Sequence, residues 1–245
     1  MQDLLKLTDE YEAPAGAKKL VSKMKIALVV GIAAAGKDSI LREILTDKKH
    51  FSRIVTTISR KPRPNEIPDI SYHFIDDDQV RENLEQHKYF EAKIVHGRIY
   101  GTTTSELARI HDSKKIAIGD IDVQGVEEYY RILDTKLKTI FIIPPDFATW
   151  QKRWSGRSDS NNEEEKHRRM VSAEAELDFA LRSNYYQFVI NDDLDEAAEI
   201  SRKLIVDKTF AKKYNDSQAK QVARELHDAI AKELGEIHQF TLRLE

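Results

Sequence analysis

The chain has 245 residues, 40% hydrophobic and 33% charged, with 9 glycines and 6 prolines, which excludes the disordered, low-complexity and collagen-like classes together. Lys plus Arg number 39 against 42 Asp plus Glu, a net charge of -3, and that balance argues against a dedicated nucleic-acid module. With no cysteine there is no disulfide framework, thiolate zinc site or cysteine nucleophile.

The opening MQDLLKLTDEYE is acid-rich where a secretory or transit peptide would be basic. The richest apolar run, Ile26 to Gly36, is too short to span a bilayer, so a cytoplasmic protein with no membrane or nucleic-acid partner is expected. Residues 1–24 read as a loose extension with at most one short helix. From Lys25 the run KIALVV has strand length, ends in a glycine loop and leads into SILREIL, where Ile40, Leu41, Ile44 and Leu45 recur at helical spacing. Strand-like runs follow at RIVTT, YHFI, FEAKIV, KIAIGDID, KTIFII and QFVIND. Helical stretches lie between them, around 77–87, 103–112, 123–133, 146–154, 163–184 and 194–207. Strands alternating with helices predict an α/β fold with a mostly parallel sheet, whereas the short strands crowded between 52 and 98 predict a small antiparallel insertion. The last segment, 217–244, places Val222, Leu226, Ile230, Leu234 and Ile237 on one stripe. A helix packed on its own domain is favoured there over a homodimer contact.

Ligands of such sheets lie beyond the carboxyl ends of the strands, which directs attention to the loop after KIALVV. That loop, GIAAAGKDS from Gly31 to Ser39, fits G-x-x-x-x-G-K with Asp38 where Ser or Thr is the rule. Glycines let backbone N–H groups turn inward around phosphate oxygens, the following helix adds its positive end, and Lys37 reaches the outer phosphates. Gly31, Ala34, Gly36, Lys37, Asp38 and Ser39 are therefore the candidate nucleotide-binding residues, and the loop alone does not choose between an ATPase, a GTPase and a small-molecule kinase; the resemblance described below assigns them to ATP. The chain has no N-K-x-D base-reading motif of a GTPase, and a compact phosphate-loop protein of this size most often phosphorylates a small molecule.

The segment Thr56 to Phe74, TTISRKPRPNEIPDISYHF, carries Arg60 and Arg63, then Glu66, then Tyr72. Two guanidinium forks and a phenol can hold a monophosphate, although KPRP alone could be a solvated basic loop. At this point the sequence resembles guanylate kinase, whose members show T-T-R-x-x-R-x-x-E and Y-x-F in this order. FEAKIVHGRIYGTT, GDIDVQGV and INDDLDEA extend the resemblance over about residues 25–207.

The resemblance implies a P-loop NTPase core with a GMP-binding insertion and a helical lid. It puts Arg60, Arg63, Tyr72 and Tyr100 on the GMP phosphate, with Glu66 buttressing them. It puts Glu91 on guanine N1–H and the exocyclic amine, with Thr56 and Thr102 on the rest of the base edge. A carboxylate accepts both guanine donors but would face the acceptor N1 of adenine, so an unpaired polar group supplies the specificity. Asp120 is implied beside the magnesium and phosphate-loop region and Asp122 on the GMP side. The basic stretch 152–169 resembles the lid, with Arg153, Arg157 and Arg169 closing over the phosphates. Asn191 falls near the adenine of ATP, or equally caps a helix. The implied catalytic set is Lys37, Arg153, Arg157, Arg169 and Asp120.

The family's loop usually reads G-P-S-G-x-G-K-S-T, and here Ile32, Ala33, Ala34 and Asp38 replace Pro, Ser, Gly and Ser. Asp69 also replaces a glycine. G-K-D-S occurs in the related ribose 1,5-bisphosphate phosphokinases, and Asp38 is the candidate Mg²⁺ ligand. The implied reaction is ATP- and Mg²⁺-dependent phosphorylation of GMP, and of dGMP. Two alternatives remain: a related kinase with an acceptor such as ribose 1,5-bisphosphate, and a non-catalytic guanylate-kinase-like protein-binding module, against which Lys37, Arg157 and Arg169 speak. The expected division is a 1–24 extension, a 25–207 domain with its insertion at about 55–103 and lid at about 153–169, and a 208–245 helical extension.

Overall fold

The computed structural model describes residues 2–63, 66–95, 97–155 and 163–242. Two helices open the chain where at most one was expected: α1 (Gln2–Asp9) and α2 (Ala15–Val21), with Pro14 in extended backbone before the second. β1 (Ile26–Val30) is buried at every position and leads through the glycine loop into α3 (Lys37–Ile44), which buries Ile40, Leu41 and Ile44. The run RIVTT is not one strand; it is divided between β2 (Phe51–Arg53) and β3 (Thr57–Ile58). β4 (His73–Phe74) follows, then α4 (Asp77–Glu85), started by a capping box between Asp76 and Gln79. β5 (Tyr89–Val95) pairs with β6 (Arg98–Thr103), a strand the hydrophobic pattern did not mark because GRIYGTT contains two glycines and little alternation. Then come α5 (Thr104–Asp112), β7 (Ile116–Asp120), α6 (Val123–Leu133), β8 (Lys138–Ile143), α7 (Phe147–Ser155) and α8 (Glu163–Arg182). β9 (Tyr186–Ile190), α9 (Leu194–Val206), α10 (Lys208–Lys213) and α11 (Ser217–Leu242) complete the chain.

These elements form two units, Met1–Leu28 with Asp47–Leu137, and Val29–Thr46 with Lys138–Glu245. The strand order of the larger sheet is β2-β7-β1-β8-β9, so β1 is the strand along which the chain passes from one unit into the other. The β2/β7 and β8/β9 pairings are parallel, with Phe51 opposite Ile116 and Thr139 opposite Tyr186.

In the first unit a four-stranded sheet runs β4-β3-β6-β5. It is mixed rather than purely antiparallel: β5/β6 and β3/β6 are antiparallel, but β3/β4 is parallel. A register shift between Tyr89 and Glu91 puts one extra residue into β5 and sets Glu91 opposite Thr102. α1 packs behind this sheet, burying Leu4 with Val80, Leu84, Tyr89, Ala92 and Ile99, and the Tyr11 hydroxyl donates to the Tyr89 carbonyl at 2.7 Å.

In the second unit α3 packs on α9, and α11 lies along α8 and against β9. Ala219, Ala223, Leu226 and Ile230 are the buried stripe of α11, so that helix packs within its own unit; the Ile237 side chain lies outside the described residues. Among the described residues no helix is long and apolar enough to cross a membrane.

Candidate functional site

The candidate residues fall into two constellations, one in each unit. In the second unit, β1 delivers the chain to Gly31 at φ +142, where a Cβ would sit 2.2 Å from the Ile142 carbonyl oxygen. Gly36, at φ +97, is the N-cap of α3, and a Cβ there would meet the Asn191 amide nitrogen at 2.1 Å. Both positions need glycine for space as well as for backbone. Between them Ala34, standing where a glycine is usual, holds φ +65. Asp69, the other replacement of a glycine, also takes left-handed backbone, at φ +63.

Side chains from later elements hold this loop. Trp150 Nε1 donates to the Ala33 carbonyl at 2.7 Å, and Asn191 Nδ2 to the Ala35 carbonyl at 2.7 Å. Arg153 donates to the Asn191 carbonyl at 2.8 Å. Asn191 is therefore not a helix cap; Asp193 caps α9. Lys37 folds back, its ammonium donating to the carbonyls of Gly31 and, at 3.2 Å, Ile32. Ala34, Gly36, Ser39, Arg153, Asn191, Asp192 and Leu194 line a cleft of about 280 Å³. A helix N-terminus, a lysine and an arginine beside a cleft suit a polyphosphate. Asp38 is exposed in the first turn of α3, and Arg169 is buried on α8. Arg157 and the 156–162 part of the expected lid lie outside the described residues.

In the first unit, Arg60 and Glu66 form a two-pronged pair with both N–H···O distances 2.6 Å, and Glu66 also accepts from the Arg63 backbone N–H at 2.8 Å. Burial is the largest single influence and would raise the Glu66 carboxyl, but the Arg60 fork, the Arg63 backbone N–H and the charges of both arginines together outweigh it and the group sits below its ordinary range. The Arg60 guanidinium lies 5.7 Å from the ring centre of Tyr72 and 5.6 Å from that of Phe74. Tyr100 meets Tyr72 edge-on at 6.1 Å, and burial raises its phenol against the pull of Arg60 and Arg63. Asp120, at the carboxyl end of β7, accepts from Arg53 at 3.3 Å and from the Tyr72 hydroxyl at 3.5 Å. Asp122 caps α6 by accepting from the Gln124 backbone N–H. Arg53 was missed in the sequence, where nothing marks one more arginine in a strand.

Deeper in this unit Glu91 is 4% exposed and accepts from the Thr102 hydroxyl at 2.6 Å. Burial pushes its carboxyl up to about 7, against the lowering effects of Thr102 and Lys93. A Cβ on Gly125 would come 3.6 Å from the other Glu91 oxygen, so α6 approaches closely there. Thr56, buried just before β3, pairs its carbonyl with the His73 N–H. A buried carboxyl that gains charge when donors arrive suits a flat base with adjacent N–H groups.

A family model described as guanylate kinase matches residues 23–208. Guanylate kinase 1 of Oryza sativa subsp. japonica is 31% identical over 183 residues, 74% of this chain and 47% of that one, so the chain spans about half of that relative's length. The guanylate kinase of Sulfurimonas denitrificans is 30% identical over 178 residues, 72% of this chain and 84% of its own. A crystal structure of guanylate kinase from Anaplasma phagocytophilum matches with a TM-score of 0.59 at 19% identity, covering 84% of this chain and 94% of that one, a likeness of fold.

Proposed function

We infer the reaction from one premise: this chain belongs to the guanylate kinase family. It is an ATP-dependent phosphotransferase whose acceptor is GMP. An oxygen of the GMP phosphate attacks the γ-phosphorus of ATP in line, the bond to the β–γ bridging oxygen breaks, and GDP and ADP result. Charge on the moving phosphoryl group must be held by positioned donors.

The observation that carries the acceptor assignment is the Arg60–Glu66 pair beside Arg63, Tyr72 and Tyr100, together with the buried Glu91–Thr102 pair. Arg60, held rigid by Glu66, offers its remaining N–H groups to the phosphate. Glu91 accepts from guanine N1–H and the exocyclic amine, while Thr102 donates to the carboxylate and steadies it. dGMP is a second acceptor on this reading, because none of these residues addresses the ribose.

On the donor side Lys37 exchanges its carbonyl partners for phosphate oxygens, and Arg153, Arg157 and Arg169 add positive charge. Magnesium fits this site, because Mg²⁺ with ATP needs only one or two carboxylates beside phosphates and water. Asp38, exposed in the first turn of α3, is the carboxylate that would hold it, and bound magnesium neutralises phosphate charge.

The test is ADP release with ATP and Mg²⁺ across GMP, dGMP, AMP, CMP, UMP and ribose 1,5-bisphosphate. GMP should be fastest, with dGMP the only other rapid acceptor. Equal rates with AMP, or turnover of ribose 1,5-bisphosphate alone, would overturn the assignment.

A further inference from the structure

Ile32 to Ala35 forms a tight turn closed by the Ala35 N–H donating to the Ile32 carbonyl at 3.1 Å. Its third residue, Ala34, has φ +65, whereas Ala33 is not among the residues of positive φ. That combination is the type II arrangement, which asks for glycine at the third position. With alanine there, the alternative type I turn is the relaxed one. The two types differ by a flip of the central peptide, the one carrying the Ala33 carbonyl and the Ala34 N–H.

The Ala33 carbonyl is the atom that Trp150 Nε1 grips. The next two peptides are fixed as well, one by the Ala35–Ile32 bond and the following one by Asn191 on the Ala35 carbonyl. We propose that Trp150 is a positioning residue of the donor site: its indole N–H holds the central peptide of the 32–35 turn in the flipped orientation that alanine at position 34 would otherwise abandon. The Ala34 N–H, on the opposite edge of that peptide from the gripped carbonyl, thereby keeps its direction. Released, the peptide turns over and exchanges an N–H for a carbonyl oxygen on the side where Ala34, Gly36 and Ser39 line the cleft. A carbonyl oxygen facing a polyphosphate repels it. Trp150 thus supplies from α7 the constraint that a glycine at position 34 would supply by itself.

The inference rests on the ATP-site reading, and a double-substitution cycle tests it. Mg-ATP binding is measured by calorimetry in the parent, Trp150→Phe, Ala34→Gly and the double variant, with the KM for GMP followed in parallel. Trp150→Phe keeps an aromatic ring but loses the N–H. It should weaken Mg-ATP binding about tenfold in the parent, the size expected for a strained left-handed residue. In the Ala34→Gly background the same substitution should cost less than about twofold, because glycine accepts the turn without help. The KM for GMP should not move. An equal loss in both backgrounds, or no loss in either, overturns the proposal, since a general packing defect would ignore residue 34. If Trp150→Phe does not fold, both tryptophans are replaced by their benzothiophene analogue. Trp154 Nε1 is buried without a hydrogen-bond partner, so only the Trp150 bond is lost, and the same tenfold and twofold effects are expected. A parent that binds Mg-ATP but transfers nothing to GMP refutes the proposed reaction while the coupling is still read. A parent that does not bind Mg-ATP overturns both.

Discussion

Acidifying the assay from pH 8 to pH 6 should weaken GMP binding through one buried carboxyl. Guanine offers two donors on adjacent positions, and only ionised Glu91 accepts both. In the free protein burial pushes Glu91 up to about 7, with Thr102 and Lys93 opposing. The ionised fraction is then about 0.9 at pH 8, about 0.5 at pH 7 and about 0.1 at pH 6, and apparent affinity scales with that fraction. The KM for GMP should therefore rise roughly tenfold over this range. The GMP phosphate takes up a proton near pH 6, which acts in the same direction. Glu91→Gln retains that contribution and loses the carboxyl, so the ratio of parent to variant kcat/KM isolates Glu91. That ratio should fall about tenfold between pH 8 and pH 6. A flat ratio would refute the assignment of a charged, buried Glu91 to the base.

At pH 8 Glu91→Gln should lower kcat/KM for GMP on the order of a hundredfold, because the amide sets an N–H against guanine's donors at a cost of about 3 kcal/mol, and leave the KM for ATP unchanged. The same variant should be more stable than the parent when free. Glu91 is raised from 4.5 to about 7 in the folded state, so the fold binds a proton that the unfolded chain has lost. Stability then falls as pH rises from about 4.5 to about 7, by roughly 3 kcal/mol at most. Urea melts should show the advantage of Glu91→Gln in full at pH 8 and cut to about a quarter of that at pH 5; an equal advantage at both would count against a buried charge. Glu66→Gln should raise the KM for GMP about tenfold by loosening the Arg60 fork; unchanged GMP kinetics would show that Glu66 does not hold the arginine for its task. Asp38→Ala should raise the Mg²⁺ needed for half-maximal rate several-fold, and an unaltered requirement would remove Asp38 from the metal side.

What could be read from the sequence was what is local. The strand, glycine loop and helix from Lys25 to Leu45 announce themselves within that one stretch because apolar period and glycine placement suffice. The acceptor loop was legible as Arg60, Arg63 and Tyr72, with Glu66 added by the resemblance alone; that Glu66 forks onto Arg60 follows from a turn no periodicity describes. Glu91 looked like one more residue of an alternating strand, and its significance depends on burial that only the β5/β6 hairpin and α6 create. Alanine at position 34 left open whether the loop changes shape or the alanine takes the left-handed conformation. The answer is held by Trp150, more than a hundred residues away, whose spacing from Trp154 marks only the buried side of a helix.

The chain leaves the first unit after Leu28, re-enters at Asp47 and leaves again after Leu137. During synthesis the acceptor unit is thus complete in sequence while everything from Lys138 onward is still to be made. At about 5–20 residues per second, several seconds pass between Leu137 and Asn191. Until Ile142, then Trp150 and lastly Asn191 have been made, Gly31 to Ser39 exists without the groups that lie beneath it and fasten it. Birth order and assembly order are therefore inverted for this loop: it is made well before the groups that fasten it, and it takes its final form only after they follow.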